Sequence, residues 1–202
     1  MKFRNVLFSL AIILLLSGCG GRWSTGFDQM LDPNISQNWR VVSVDVVVPE
    51  TLSISNANNL APDADIVWHG DPEGDRREQV AQVLEAGILR GSSSLRGGVP
   101  VHIVVILEQF HALSPRARRI APSAVHNIRY TIRVFDNRNG GSLTAPVVVD
   151  ADIEAFVGAQ ATAANAAGQT QKVRIINHIA AVTAGWLGVG PDPRREFGGL
   201  GR

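Results

Sequence analysis

Apolar residues recur at every second position in several stretches of this chain, which is the period of a β-strand with one buried side. In Trp39–Val48, valines fill alternate positions and Pro49 follows them. Val101–Leu107 is apolar at nearly every position, a pattern typical of a strand in the centre of a sheet. Further strands are predicted at Asp65–His69, Val125–Asp136 and Val147–Val157.

Two other stretches have the period of an amphipathic helix. Asp75 is a favourable N-cap, Glu78 completes a capping-box pattern, and the first helix is predicted to stop at Gly91. Its apolar stripe consists of Val80, Val83, Leu84 and Ile88. Thr170 is the predicted N-cap of a second helix, Gln171–Leu187, whose wide apolar face indicates heavy burial.

The resulting order of elements is β-α-β-β-β-α. The most economical fold for this order is an α+β two-layer sandwich, with a mostly antiparallel sheet of four to five strands and both helices on one face. The last two strands are predicted to form a hairpin with Arg133 opposite Asp150. That register also places Arg129 opposite Glu154, so opposite charges face each other along the exposed side.

Composition divides the chain into four parts. Residues 39–187 carry the periodic pattern and are predicted to form a single domain. Residues 19–38 and 188–202 are rich in Gly, Pro and polar residues, so we expect a flexible tether before the domain and a disordered tail after it. Inside the domain, residues 158–170 are predicted to be a flexible loop or a weak helix.

The fourth part, residues 1–18, has the layout of a secretory signal peptide. Lys2 and Arg4 provide positive charge, the apolar stretch Val6–Leu16 follows, and the small residues Ser17 and Gly18 come last. A helix that spans a bilayer needs about 20 apolar residues, so this stretch is too short for that role.

The tetrapeptide Leu16-Ser17-Gly18-Cys19 resembles the lipobox of bacterial lipoproteins. The resemblance implies cleavage between Gly18 and Cys19, a thioether-linked diacylglycerol on Cys19, and fatty acylation (palmitate) of the new amino group. Several acyl chains exceed the threshold for stable membrane attachment, which one chain does not reach. Gly20, where enterobacterial rules would place Asp for retention in the inner membrane, favours a periplasm-facing position on the outer membrane.

Charge and cysteine content narrow the classes of function. Removal of residues 1–18 takes away Lys2 and Arg4 and no acidic residue, so the formal net charge of +1 falls to −1. A nucleic-acid-binding protein would have a strong basic excess, so no nucleic-acid partner is expected. Cys19 is the only cysteine, and its use for lipid leaves none for a disulfide or for thiol catalysis.

The stretch SPRARR contains the clearest candidate binding surface. Arg116, Arg118 and Arg119 lie together in what is predicted to be a loop between two strands. Guanidinium groups suit phosphates and carboxylates, so these arginines are candidates for contact with an anionic lipid, lipopolysaccharide phosphates or an acidic envelope protein. The alternative interpretation is that all three are merely solvated.

No catalytic or metal-binding motif occurs in the sequence. The five histidines are scattered, and no nucleophile elbow, P-loop or zinc spacing is present. His69 with Asp71 and Glu73 on a Pro/Gly loop is the one combination that could serve a small envelope hydrolase or a metal-binding protein. The main prediction is a non-enzymatic binding or assembly module with no metal and no cofactor beyond the lipid on Cys19.

Two longer stretches, ADIVWHGDPEGDRREQV and EQFHALSPRARRIAPSAVHNIRYTIRVFD, resemble a family of short bacterial lipoproteins that is a domain of unknown function. The resemblance covers roughly residues 37–187. The element order also has a remote similarity to that of the lipopolysaccharide-assembly lipoprotein LptE and transport-auxiliary lipoproteins. Neither resemblance implies any catalytic residue, because neither family supplies a catalytic motif.

Overall fold

The computed structural model describes residues 21–199, within which the chain forms nine strands and five helices. The predicted signal peptide over residues 1–18 and the predicted lipidation site Cys19 lie outside the described residues. In chain order the elements are β1 (Gly21–Phe27), α1 (Pro33–Ser36), β2 (Trp39–Val47), β3 (Ile54–Ser55), β4 (Ile66–Val67), α2 (Arg76–Gly91), β5 (Val99–His111), α3 (Pro115–Ile120), β6 (Val125–Asp136), β7 (Val147–Ala151), β8 (Ile153–Glu154), α4 (Gly158–Ala166), α5 (Gln171–Trp186) and β9 (Arg195–Gly199).

The sheet is built around the long antiparallel pair β5 and β6. On the side of β5 away from β6, β2 runs parallel to the first part of β5 and β4 runs parallel to the last residues of β5. β3 pairs in parallel with β4. On the outer side of β6, β7, β1 and β9 follow one another in antiparallel pairs, while β8 pairs with the first residues of β6. The order across the sheet is β3-β4-β5-β6-β7-β1-β9.

The predicted fold class is therefore wrong. The protein has a mixed sheet of nine strands with five helices, instead of a two-layer sandwich of four to five mostly antiparallel strands with two helices. The parallel pairing arises because α2 carries the chain from β2 back to the same end of the sheet before β5 begins, and a crossover of this kind joins parallel strands.

The two terminal segments also differ from their prediction. Gly21–Phe27 is strand β1 and Pro33–Ser36 is helix α1, within the segment predicted to be a flexible tether. Arg195–Gly199 is strand β9, within the segment predicted to be a disordered tail. β1 and β9 pair with each other, and the Trp23 indole Nε1 donates to the Gly199 carbonyl at 3.1 Å. Neither strand shows a strong apolar period, so the sequence did not predict them. They are held by pairing with each other.

The register of β6 and β7 is shifted from the predicted one by four residues. Arg129, and not Arg133, lies opposite Asp150, and the Arg129 guanidinium donates to the Asp150 carboxylate at 2.7 Å and to Glu108 of β5 at 3.0 Å. A shift of four keeps every side chain on its own face, so alternation alone does not distinguish the two registers.

The starts of the two long helices are confirmed, and each is fixed by a side-chain cap. Asp75 accepts hydrogen bonds from the backbone N–H of Arg77 and Glu78, and Thr170 accepts one from Val173. These bonds satisfy N–H groups that have no partner inside the helix.

One side of the sheet is buried beneath α2 and α5. Alternate side chains of β5 and β6 point into this core, while their neighbours, such as Ile106 and Arg129, are exposed on the other side. The helices contribute Val80, Val83, Leu84 and Ile88 from α2, and Ile175, Ile179, Val182 and Trp186 from α5. Within residues 21–199, no helix has the length and apolar character needed to cross a membrane.

Gly87 and Gly91 allow α2 and α5 to approach each other closely. A Cβ on Gly87 would lie 2.6 Å from Cγ2 of Ile179, and a Cβ on Gly91 would lie 2.4 Å from the carbonyl oxygen of Ala180. The helix includes Gly91 and is capped by Ser92, so the predicted role of Gly91 as a stop is wrong. Its role is to make room for the backbone of α5.

We expect Gly91→Ala to lower the free energy of unfolding by about 1–3 kcal/mol, the usual cost of overpacking, because a backbone carbonyl cannot move aside cheaply. Urea unfolding of the protein in detergent measures the change. Gly98→Ala is the matched control, since nothing lies within 4 Å of its added methyl group. Equal stabilities for the two variants would contradict the close helix contact.

Candidate functional site

The three candidate arginines lie on a helix and not on the predicted loop. Ser114 caps α3 by accepting a hydrogen bond from the Ala117 N–H at 3.0 Å, and Pro115 occupies the first turn, where its missing N–H costs nothing. Ala117 is buried and holds the helix on a small second core whose other buried members are Leu113, Ala124 and Ala155.

The arginines differ in their surroundings. Arg116 and Arg119 are exposed, whereas Arg118 is half-buried and its guanidinium donates to Oδ1 of Asn165 on α4 at 3.0 Å. No ion pair within the described part of the chain includes any of the three. Their positive charge is therefore available to an external partner.

Helices α3 and α4 enclose a shallow groove of about 440 Å³, lined by Arg118, Arg119, Gly158 and Asn165 among others. Arg116 does not line it. Val157 gives the first turn of α4 no side-chain cap, and no acidic residue lies in that turn. The positive end of the helix dipole therefore adds to the charge of Arg118 and Arg119.

On its other side, Arg118 borders a narrow polar cleft with Arg174, His126 and Gln171. The Arg174 guanidinium stacks over the Phe156 ring, 3.3 Å from its centroid. The amide atoms of Gln171 and Nδ1 of His126 are buried and have no hydrogen-bond partner among the described residues. The cleft has a volume of about 10 Å³, which is room for one water molecule and not for an organic ligand.

Burial, aided by the charges of Arg174 and Arg118, lowers the pKa of His126 to about 3. The same cause, aided by Arg195, lowers the pKa of His178 to about 4. Both histidines are therefore neutral in the folded protein at neutral pH.

His69, Asp71 and Glu73 do not assemble a metal or acid–base site. Both Asp71 oxygens are occupied: one accepts from the Trp68 indole N–H at 2.8 Å and the other from the Lys172 ammonium at 2.6 Å. Burial alone would raise the pKa of Asp71, but these two hydrogen bonds outweigh it and the pKa is lowered. Burial, with help from Arg76, lowers the pKa of His69. Within residues 21–199 no group of three or more His, Cys, Asp or Glu is placed to hold a metal ion.

One contact between a hydroxyl and a histidine was not foreseen from the sequence. His178 Nε2 lies 3.4 Å from the Thr25 hydroxyl, but that hydroxyl donates to the Asp152 carbonyl at 2.8 Å. Thr25 is 1% exposed, so a substrate cannot reach it. The contacts tie β1 to α5 and to the chain between β7 and β8.

Asp152 is buried, although the period of two in the predicted strand Val147–Val157 puts it on the same side as Asp150 and Glu154. The strand breaks at this residue, and the carboxylate turns in to accept from Asn127 Nδ2 at 2.7 Å and from the Ile128 N–H at 3.1 Å. Burial raises the pKa of Asp152 despite these bonds. No sequence signal marks such a break.

We expect acid to destabilise the protein through His126. Its pKa is 6.5 in the unfolded chain and about 3 in the fold. As the pH falls below 6.5, the unfolded state therefore binds a proton that the folded state does not bind, and the free energy of unfolding decreases. His126→Gln should reduce the loss of unfolding free energy between pH 7 and pH 5 by about 2 kcal/mol. Urea titrations at both pH values measure this difference. The same loss in both proteins would show that His126 is protonated in the fold.

Comparisons with known proteins add the family but no activity. No curated protein matches the chain. A solved structure named "a putative lipoprotein from Caulobacter crescentus CB15" is similar with a TM-score of 0.37 and 16% identity, over 77% of this chain and 95% of that one. The predicted likeness to LptE is not shown by these comparisons. Residues 39–202 match the family of unknown function DUF6778, and the chain belongs to that family.

Proposed function

We propose that this protein is a lipid-anchored lipoprotein of the cell envelope that acts as a non-enzymatic binding or assembly module at the membrane surface. The observation that carries the proposal is the placement of Cys19 in a lipobox directly behind the apolar stretch Val6–Leu16. The outer membrane, with the domain facing the periplasm, is the proposed location, because Gly20 stands where an inner-membrane retention signal would lie.

The geometry of the first strand supports a role close to the bilayer. β1 begins at Gly21, two residues after Cys19. Two residues span at most about 7 Å, so the lipid would hold the folded domain against the headgroups and not at the end of a long tether. A protein held in this way meets partners that are themselves in or on the membrane.

The surface of the domain supports binding over catalysis. Arg118 and Arg119 of α3 line an open groove and belong to no ion pair within the described residues. Asp71, the central residue of the alternative hydrolase or metal site, has both oxygens in internal hydrogen bonds.

Cys19→Ser should abolish incorporation of labelled palmitate and cleavage after Gly18, because serine cannot form the thioether on which both steps depend. Metabolic labelling and mass spectrometry of the purified protein measure these outcomes. Ser17→Ala, which keeps a small residue in the lipobox, should leave both unchanged. Labelled palmitate on the Cys19→Ser protein, or a mature chain that begins at another residue, would contradict the proposal.

Metal analysis separates the two functional classes. We expect the purified protein to carry no stoichiometric metal, because both carboxylate oxygens of Asp71 already accept hydrogen bonds from Trp68 and Lys172. A stoichiometric metal that is lost on His69→Ala would overturn the non-enzymatic proposal in favour of the alternative.

A further inference from the structure

The position of α3 relative to the start of β1 identifies the end of the domain that faces the membrane. Gly21 of β1 pairs with Gly199 of β9, and a Cβ on Gly199 would lie 2.7 Å from Cγ2 of Val125. Val125 is the first residue of β6. The amino-terminal end of β1 therefore lies at the end of the sheet where β6 begins.

Helix α3 lies at the same end. It joins the last residue of β5, His111, to the first residue of β6, and His111 pairs with Asn127 two residues inside β6. Ala117 of α3 packs with Ala124, which directly precedes Val125. The arginine helix and the start of β1 thus share one end of the molecule.

Apolar side chains accompany the arginines at this end. Ile120, the last residue of α3, is 52% exposed, and Leu60 is exposed to the same extent. Leu60 also lines an apolar groove of about 210 Å³ with Ala117, Ala124 and Val125. Exposed aliphatic groups beside arginines are the combination found in segments that lie in a membrane interface.

The charge on the surface of α3 is positive. Its charged side chains are Arg116, Arg118 and Arg119, no acidic residue lies in the helix, and Arg174 borders the cleft beside Arg118. The mature chain as a whole is close to neutral. The uneven distribution favours an anionic surface as the partner.

We propose that this end of the sheet faces the bilayer and that Arg116, Arg118 and Arg119 contact the headgroups of anionic phospholipids in the membrane that holds the anchor. The inference rests on the proposed attachment through Cys19, which brings the headgroups within reach of α3. It adds a ligand and the side of this end that meets it, since the anchor alone brings the start of β1 near the lipid without deciding which side chains touch the headgroups. Each arginine near an anionic surface raises the partition coefficient about fivefold, enough to select one orientation.

Fluorescent labels placed beyond the two ends of β5, one on α3 and one just before β5, test the orientation in the full lipidated protein. Ile120→Cys labels the proposed membrane-facing end, and Gly98→Cys labels the other, about 40 Å away along the 13 residues of β5. The Cys19 thioether does not react with the label. In vesicles of phosphatidylcholine with phosphatidylglycerol and nitroxide-labelled headgroups, we expect the label at position 120 to be quenched several-fold more than the label at position 98, because only the first would lie near the headgroups.

The double variant Arg116→Ser/Arg119→Ser tests the headgroup contact itself. In this variant, the label at position 120 should lose most of its quenching. High salt, or vesicles of phosphatidylcholine alone, should have the same effect on the unsubstituted arginines, because each removes the attraction between the arginines and anionic headgroups. Arg40→Ser/Arg96→Ser is the matched control, because it removes the same charge at exposed positions near the other end of β5. In this control, the label at position 120 should be quenched as strongly as in the labelled protein that keeps all its arginines.

Each opposite outcome is decisive. Stronger or equal quenching at position 98 in acylated protein overturns the orientation while the anchor stands. Equal quenching at position 120 in neutral and anionic vesicles overturns the lipid contact and leaves an acidic protein as the partner of the arginines. A protein without acyl mass on Cys19 overturns the proposed function, and the orientation with it.

Discussion

Strand β1 is held between β7 and β9, and this pairing decides where the amino-terminal end of the domain lies. The Thr25 hydroxyl and the Trp23 indole reinforce the backbone pairing by donating to the carbonyls of Asp152 and Gly199. Because the residues before Gly21 must leave from this end of the sheet, any group attached at Cys19 is confined to the same end. The position of the proposed membrane anchor relative to the domain thus follows from strand pairing.

The buried polar groups lie where that strand meets the rest of the molecule. Asp152 accepts hydrogen bonds from β6 and from Ser24 of β1, and His178 of α5 lies next to Thr25. Buried polar groups of this kind stabilise one arrangement because any other would leave them without partners. They explain how a strand with little apolar period of its own is held in the sheet, and why the region looks like an active site without giving a substrate access.

How far the sequence predicts the fold depends on whether a feature is local. The bounds of β6 and the N-caps of α2 and α5 are confirmed, because alternation and N-capping involve neighbouring residues. The predicted register of β6 and β7 is wrong by four residues, because the predicted and the observed register both keep the charged residues on the outer face. For the candidate site, the identity of the cationic cluster was predictable, but its helix was not. A six-residue helix, held by a buried alanine and one cap, leaves almost no periodic signal.

The sequence by itself determined the resemblance of Leu16–Cys19 to a lipobox, the near-neutral charge, the main strands and helices and the presence of an arginine cluster, because each is set by residues close together in the chain or by composition. Tertiary structure decided the parallel pairs beside β5, the strands formed by both terminal segments, and the inward turn of Asp152. It also decided that α3 and the start of β1 share one end of the sheet. These features depend on backbone hydrogen bonds and packing between segments far apart in sequence, whose pairing free energy no single stretch of the chain reveals.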